Sequence, residues 1–293
     1  MQNLYTTSMG SRAGQARLAA GEKFSIVYHN LFDFPLNFLE IIKWSPHRSF
    51  CDYGGNVVKV AHKDGFYYLE GREGLIYKRT LRKRISAKKL EIAKKASRLL
   101  SFLPGVKMVG VTGSLAMGNS IDESDIDLMI ITKKSSLWTT RIFVHLLICL
   151  FGIPRRKPFD KDQKDRLCLN VWLDEGDLVW QKKDRNIYTA HEIGQILPLV
   201  NKDKTYEKLL HKNKWILDFW PNSVRISNFE SGIWSEKTKF NILDSIFLVI
   251  EKICYWVQIQ YMRPKMTREV ATATRALFHP QDWGKVVLRR LSS

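Results

Sequence analysis

Cysteine is scarce in this sequence of 293 residues, and its few copies are not clustered. There is no C-x-x-C pair and no histidine at zinc-finger spacing, which argues against a cysteine-based zinc site and a disulfide framework. We therefore expect reduced cysteines and a cytoplasmic protein. The four positions are Cys51, Cys149, Cys168 and Cys254.

Long uncharged apolar runs are also missing. The two most apolar stretches, 137–153 and 242–262, are interrupted by ionisable residues such as Arg141 and Glu251. A membrane span needs about 20 predominantly apolar residues, so we expect no membrane partner and interpret both stretches as buried or amphipathic helices. The polar segment 1–22 lacks the apolar core of a signal peptide and is expected to be a flexible leader.

Acidic residues are few relative to basic ones. Twenty-nine Asp and Glu face 47 Lys and Arg, for a formal net charge of +18. This excess favours polyanionic partners such as nucleic acid or nucleotides without choosing among them. The stretch 78–98 carries ten Lys or Arg against one acid, Glu91, and its apolar residues recur at helical spacing. It is expected to be a helix whose basic faces are either solvated or in contact with nucleic acid.

The order of elements suggests three folded units. Hydrophobic residues make up 45% of the chain, which is enough for a core. Residues 23–75 read as helix, helix, irregular stretch and hairpin, the order of a winged-helix module. No strong recognition helix is visible there, so a small scaffolding unit is the alternative. We expect the next unit over 76–185 and an α-helical domain over 186–293.

Two smaller features accompany this division. Thr189 and Glu192 form a T-x-x-E capping box, which is expected to open a helix over 191–200. The basic loop 155–157 could guide a polyanionic acceptor or be merely solvated, and His191 has no partner that the sequence can name.

The candidate chemistry is concentrated in residues 106–132. Val106 to Val111 reads as a buried strand, followed by a turn at Gly113 and Ser114. Glycine lets a phosphate approach the main chain closely, and Ser114 offers a donor to it.

A second strand is expected from Asp125 to Thr132. Because side chains alternate along a strand, Asp125 and Asp127 should emerge on one face. Two carboxylates held so close repel each other unless a cation lies between them, and Mg²⁺ suits such a pair beside a phosphate site. The pattern therefore predicts a metal-dependent displacement at phosphorus.

The run G-S-x-x-x-G-x-x-x-x-x-S-D-I-D-L, from Gly113 to Leu128, resembles the signature of minimal nucleotidyltransferases in the DNA polymerase beta superfamily. The whole chain is similar to bacterial proteins that carry such a domain after a winged-helix-like segment. The resemblance implies an α+β fold, in which a small mixed sheet has helices on one side. It also implies transfer of a nucleotidyl group, most often AMP from ATP, to an acceptor that the sequence does not identify.

Residue roles follow from the same resemblance. Gly113, Ser114 and Ser124 would form the nucleotide-binding part, and Asp125 and Asp127 would ligate Mg²⁺.

The third catalytic carboxylate of the family comes from a later strand, here expected at 167–173. Asn170 stands where that acid is expected, and an amide can neither supply charge nor accept a proton. Asp174, four residues along the same predicted face, is a possible substitute if the strand bends.

Two other interpretations remain open at this point. The net charge, the basic stretch 78–98 and Asn170 also fit a nucleic-acid-binding regulator with a degenerate transferase fold. A toxin or antitoxin component that nucleotidylates a protein or a tRNA is a third possibility.

Overall fold

The computed structural model describes residues 18–47, 58–157, 162–224, 242–266, 269–278 and 282–292. They form a three-stranded sheet near the N-terminus and a six-stranded sheet that carries most of the fold. Of the expected leader, residues 1–17 lie outside this description, and the first helix already begins at Ala20. None of the described helices is both long enough and apolar enough to cross a bilayer.

The N-terminal segment combines two short helices with a small antiparallel sheet of order β1-β3-β2. A two-residue turn at Asp64 and Gly65, both with positive φ, joins β2 to β3. The place expected for a recognition helix includes 48–57, outside the described residues, so the winged-helix assignment stays a prediction. The elements are α1 (Ala20–Asn30), β1 (Leu36–Asn37), α2 (Phe38–Lys43), β2 (Val60–Lys63) and β3 (Phe66–Leu69).

A single long helix, α3, runs from Gly74 to Ser101. Contrary to expectation, two of its cations point inward, since Arg79 is 8% exposed and Lys89 only 1%. Arg79 pairs with Glu40 of α2 and so joins α3 to the N-terminal segment. Its exposed cations are Lys78, Lys83, Arg84, Lys88, Lys95 and Arg98.

The main sheet is mixed, with strand order β7-β4-β5-β6-β9-β8. Only β5 and β6 pair in parallel, and the other neighbours are antiparallel. The strands are β4 (Val106–Val111), β5 (Ile126–Thr132), β6 (Leu167–Asp174), β7 (Leu197–Asn201), β8 (Val270–Ala271) and β9 (Arg275–Leu277). The remaining helices are α4 (Gly113–Ala116), α5 (Leu137–Leu150), α6 (Ile187–Gly194), α7 (Thr205–Lys212), α8 (Ile216–Phe219), α9 (Ile242–Met262) and α10 (Trp283–Ser292).

Helices cover both faces of this sheet rather than one. Leu128 and Ile130 of β5 pack in a core with α3 and α5, whereas Met129 and Ile131 pack with α1 and α6. The central strands are apolar on both sides, and a sheet of that kind must be covered on both faces. The expected mixed sheet is confirmed, and the expected one-sided covering is corrected.

The region after residue 186 is not all helical, because β7, β8 and β9 join the main sheet. Helix α6 begins at Ile187 behind an Asn186 cap, whose side chain accepts bonds from two main-chain N–H groups. The predicted capping box of Thr189 and Glu192 is therefore wrong. The helix expected over 191–200 stops at Gly194, since 197–201 forms an edge strand that tolerates a proline lacking an N–H donor.

Candidate active site

The two acids of the D-x-D motif converge where β5 begins. Asp125 directly precedes β5, and Asp127 is its second residue. Cys168 lies opposite Asp127 in the parallel pairing of β5 with β6. One ligand atom from each of these three residues lies within 4.8 Å of the others, a spacing that could hold a metal ion.

The surroundings of this cluster shift the pKa of the Asp127 carboxyl group. Burial raises the pKa of Asp127 to about 7, with a further contribution from the nearby Asp125 charge. A hydrogen bond from Cys168 and the charge of Arg156 act in the opposite direction. Burial, followed by both carboxylates, raises the pKa of the Cys168 thiol. Both shifts mean that the ionised forms of Asp127 and Cys168 are disfavoured here, and a cation bound beside Asp127 would favour its ionised form.

One cation of the protein already contacts this cluster. Nη1 of Arg156 lies 2.9 Å from Oδ2 of Asp125 and 3.8 Å from Sγ of Cys168. A β-bridge between Arg155 and Leu167 holds the loop beside β6. Sequence reasoning treated 155–157 as a guiding or solvated loop, since a contact with a residue 31 positions away leaves no local signal.

The Gly-Ser turn packs directly against Asp127. Gly113 has φ +60°, and a Cβ atom added there would lie 2.9 Å from Oδ2 of Asp127. Glycine is therefore required both for the backbone conformation and for the close approach. The N–H of Thr112 donates to the main-chain oxygen of Asp127 at 3.1 Å, which ties the turn to β5.

Beside this turn lies a cavity of about 350 Å³, within the usual range for small-molecule sites. Its polar lining comes from the segment between β4 and β5, from β6 and from the α6 region, and α1, the following loop, α6 and α10 supply the aromatic lining. The lining residues are His29, Phe32, Phe34, Thr112, Gly113, Ser114, Met117, Asn119, Asp127, Asn170, Tyr188, His191, Glu192, Gln195 and Trp283.

Asn170 lies beside the acidic pair, where the third carboxylate was expected. Its Nδ2 donates to Oδ1 of Asp127 at 2.7 Å. Its own Oδ1 is buried and has no hydrogen-bond partner among the described residues. The pairing register shifts at this point, because Leu128 faces Leu169 and Met129 faces Val171. Asn170 is thus the extra residue of a β-bulge, a device that re-aims side chains.

The same bulge corrects the expectation for Asp174. It moves the following residues to the other face, so that Trp172 packs in the α3–α5 core. Asp174 lies opposite Thr132 at the far end of β5, where it accepts bonds from the N–H groups of Ser135 and Gly176. Burial raises the pKa of Asp174 to about 6. Asp174 therefore stabilises the loops at Ser135 and Gly176 and does not lie beside the acidic pair.

Ser124 is also not brought to the cavity. Its hydroxyl donates to the main-chain oxygen of Ile121 at 2.9 Å. Its main-chain oxygen accepts a bond from the buried Lys89 ammonium, which also bonds to Asp122 and Asp165. The residue therefore stabilises the loop before Asp125, and its role in nucleotide binding stays a prediction.

Helix α6 contributes a carboxylate that sequence reasoning did not assign to the site. Glu192 lines the cavity, and its Oε1 accepts a hydrogen bond of 2.6 Å from Gln195. Burial, and then the charge of Asp127, raises the pKa of Glu192 to about 8. Sequence reasoning missed this role because the T-x-x-E pattern assigned Glu192 to a helix cap.

A neutral histidine pair forms another part of the cavity wall. Nδ1 of His29 lies 2.8 Å from the main-chain oxygen of Ser25 and must donate to it. Nε2 of His29 then accepts from Nε2 of His191 at 3.1 Å. Burial lowers the pKa of both rings, to about 3 for His29. The pair is therefore uncharged and links α1 to α6.

Comparison with known protein families agrees with this geometry. The family model described as a nucleotidyltransferase domain matches residues 91–245, more than half of the chain. No curated protein and no solved structure matches significantly. The matched segment contains the Gly-Ser turn, the acidic pair, Asn170 and Glu192.

Proposed function

Because the chain belongs to the nucleotidyltransferase domain family, we propose that it transfers a nucleoside monophosphate from a nucleoside triphosphate to an acceptor hydroxyl. The nucleotide proposed is ATP and the cation Mg²⁺. The observation that carries the proposal is that Asp127, held close to Asp125, lines the same cavity as the Gly-Ser turn.

The donor set suits a hard divalent cation. Asp125 and Asp127 offer carboxylate oxygens, the ligands that Mg²⁺ prefers. The third member of the cluster is a thiol that burial keeps protonated, and a soft protonated ligand contributes little to such a cation. Relief of the repulsion between the two carboxylates would favour binding. When bound, the cation would supply positive charge to the triphosphate.

The protein's own groups would position the substrate. Ser114 lines the cavity beside Gly113, and its hydroxyl could donate a hydrogen bond to a phosphate oxygen there. Aromatic rings on the other walls offer apolar surface to a nucleobase or an acceptor. The rings belong to Phe32, Phe34, Tyr188 and Trp283.

Labelled nucleotides in a cell extract test this function directly. The full chain, incubated with Mg²⁺ and an NTP labelled at the α-phosphate, should transfer label to an acceptor. The Asp125→Ala/Asp127→Ala variant should not, whereas Asp218→Ala, which removes an exposed acid of α8, should match the wild type. Equal labelling by the double variant would overturn the mechanism.

A regulator that binds nucleic acid remains the second candidate, supported by the exposed cations of α3. Duplex DNA binding should then weaken steeply with salt, because Lys and Arg displace counterions from the phosphates. A steep salt slope without any affinity for Mg²⁺ and ATP would favour the regulator. Loss of DNA binding when Lys83, Arg84 and Lys88 are replaced together by neutral residues would identify α3 as the binding surface.

A further inference from the structure

We propose that Glu192 of α6 is the general base of the transfer, accepting the proton of the acceptor hydroxyl because Asn170 stands where a carboxylate was expected. The inference rests on the proposed function and assigns a role to a residue outside the D-x-D motif.

The proton cannot go to Asn170. An amide does not accept a proton near neutral pH, and its Nδ2 is committed to Oδ1 of Asp127. Asp174, the substitute that the sequence suggested, lies at the far end of the strand and holds a loop. The position expected for the third acid therefore offers no group that could accept the proton.

Glu192 lines the same cavity as Asp127 and Asn170. Among the described residues that line the cavity, it is the only carboxylate other than Asp127. Its Oε1 accepts from Gln195, and no described residue donates a hydrogen bond to its second oxygen, which could accept one from a substrate hydroxyl. It does not belong to the described cluster of Asp125, Asp127 and Cys168, so proton transfer does not compete with cation binding.

The electrostatics agree with this position. Burial and the Asp127 charge raise the pKa of Glu192 to about 8. A base is most effective when its pKa lies near the working pH. Neutralisation of Asp127 by a cation would remove the second of these causes and lower the pKa of Glu192.

The histidines of the cavity are poorer bases. His29 uses Nδ1 as a donor to Ser25, and its Nε2 accepts the proton of His191. Burial lowers the pKa of His29 to about 3 and that of His191 well below its usual value. Either ring would hold an abstracted proton far less well than Glu192.

The proposed step balances without a further reactant. The acceptor oxygen forms a bond to the α-phosphorus while the bond from that phosphorus to the bridging oxygen breaks. The electron pair leaves with pyrophosphate. The acceptor proton passes to the free oxygen of Glu192 and then to solvent.

The experiment compares the wild type with Glu192→Gln, Glu192→Asp and Asp127→Asn. Glu70→Gln is the matched control, because Glu70 is an exposed acid paired with Lys59 on the surface. Two quantities are measured for each full-length variant: calorimetric affinity for Mg²⁺ with a non-hydrolysable ATP analogue, and transfer of α-phosphate label to the extract acceptor between pH 6 and 9.

We expect Glu192→Gln to retain nucleotide affinity within about threefold and to lose transfer by about 100-fold, the usual contribution of a general base. The rise of the wild-type rate with pH should disappear in Glu192→Gln and return in part in Glu192→Asp. Glu70→Gln should match the wild type, and Asp127→Asn should lose both nucleotide binding and transfer.

The outcomes separate this inference from the function on which it rests. Wild-type transfer rates and an unchanged pH profile in Glu192→Gln would overturn the role of Glu192 and leave the transferase intact. Loss of nucleotide affinity in Glu192→Gln equal to its loss of transfer would show a binding role instead. A wild-type chain that neither binds Mg²⁺ with the analogue nor transfers label would overturn the transferase itself.

Discussion

The side-chain amide of Asn170 donates a hydrogen bond of 2.7 Å to Oδ1 of Asp127, across the pair of parallel strands at the centre of the sheet. An amide at this position holds the carboxylate in place without adding charge. The opposite oxygen of the amide, buried and without a described partner, could turn towards a cation if the side chain rotated.

Asn170→Asp should strengthen cation binding. A third carboxylate beside Asp125 and Asp127 adds attraction for Mg²⁺, and we expect an affinity about tenfold higher, equivalent to about 1.4 kcal/mol. The same change should lower the melting temperature in EDTA, because three close carboxylates repel one another. Titration calorimetry and thermal melts measure the two effects. Gln181→Glu adds an acid at an exposed position and serves as control. An unchanged affinity would mean that Asn170 does not face the cation.

Gly113→Ala should damage the site more than Gly118→Ala. Both glycines have positive φ, +60° and +66°, so each substitution carries a backbone cost of about 1 kcal/mol. Only at Gly113 would the new Cβ meet Asp127, whereas nothing lies within 4 Å of it at Gly118. We expect label transfer to be lost in the first variant and largely kept in the second, measured beside urea unfolding. Equal loss in both would refute the close-contact explanation.

Arg156→Gln should raise affinity for divalent cations by roughly three- to tenfold, or about 0.7 to 1.4 kcal/mol. The guanidinium contacts Asp125 and lies near Cys168, so it partly neutralises the cluster and competes with an incoming cation. Binding of Mn²⁺, followed by electron paramagnetic resonance, gives the affinity. Lys157→Gln removes a neighbouring exposed charge and should change little. Weaker binding in Arg156→Gln would instead indicate that the arginine positions Asp125.

Stability without divalent cations should fall as pH rises from 6 to 8. The pKa of Asp127 is raised to about 7 and that of Glu192 to about 8, so the folded protein keeps protons that the unfolded chain has already lost. Folding therefore becomes less favourable across this window, by on the order of 2 kcal/mol. Thermal melts in EDTA should show the decline, and Mg²⁺ should reduce it. Glu192→Gln should flatten the part near pH 8, and stability rising with pH would contradict both shifts.

Much of the central sheet could be predicted from sequence because its signals are local. The strand at Val106–Val111 matches its expected range, and β5 begins at Ile126, one residue after its expected start at Asp125. The period-two rule also brought Asp125 and Asp127 together correctly. Strand position and side-chain alternation depend on neighbours along the chain, so the order of residue types predicts them.

Features that depend on distant contacts escaped sequence reasoning. The edge strand over 197–201 is short, and its pairing with β4 leaves no periodic pattern of its own. The bulge at Asn170 reversed the expected orientation of Asp174, and no residue type announces a bulge there. Glu192 was assigned to a helix cap because the cavity that it faces is assembled from segments far apart in sequence.

The cavity wall draws on both flanks of the family-matched segment, with His29 on one side and Trp283 on the other. Residues 91–245 alone are therefore not a complete unit for transplantation. Grafting them into another protein would carry over the acidic pair and leave two sides of the cavity open to water. Substitutions in the two flanks of this chain should therefore change which molecules the cavity admits without altering the acidic pair.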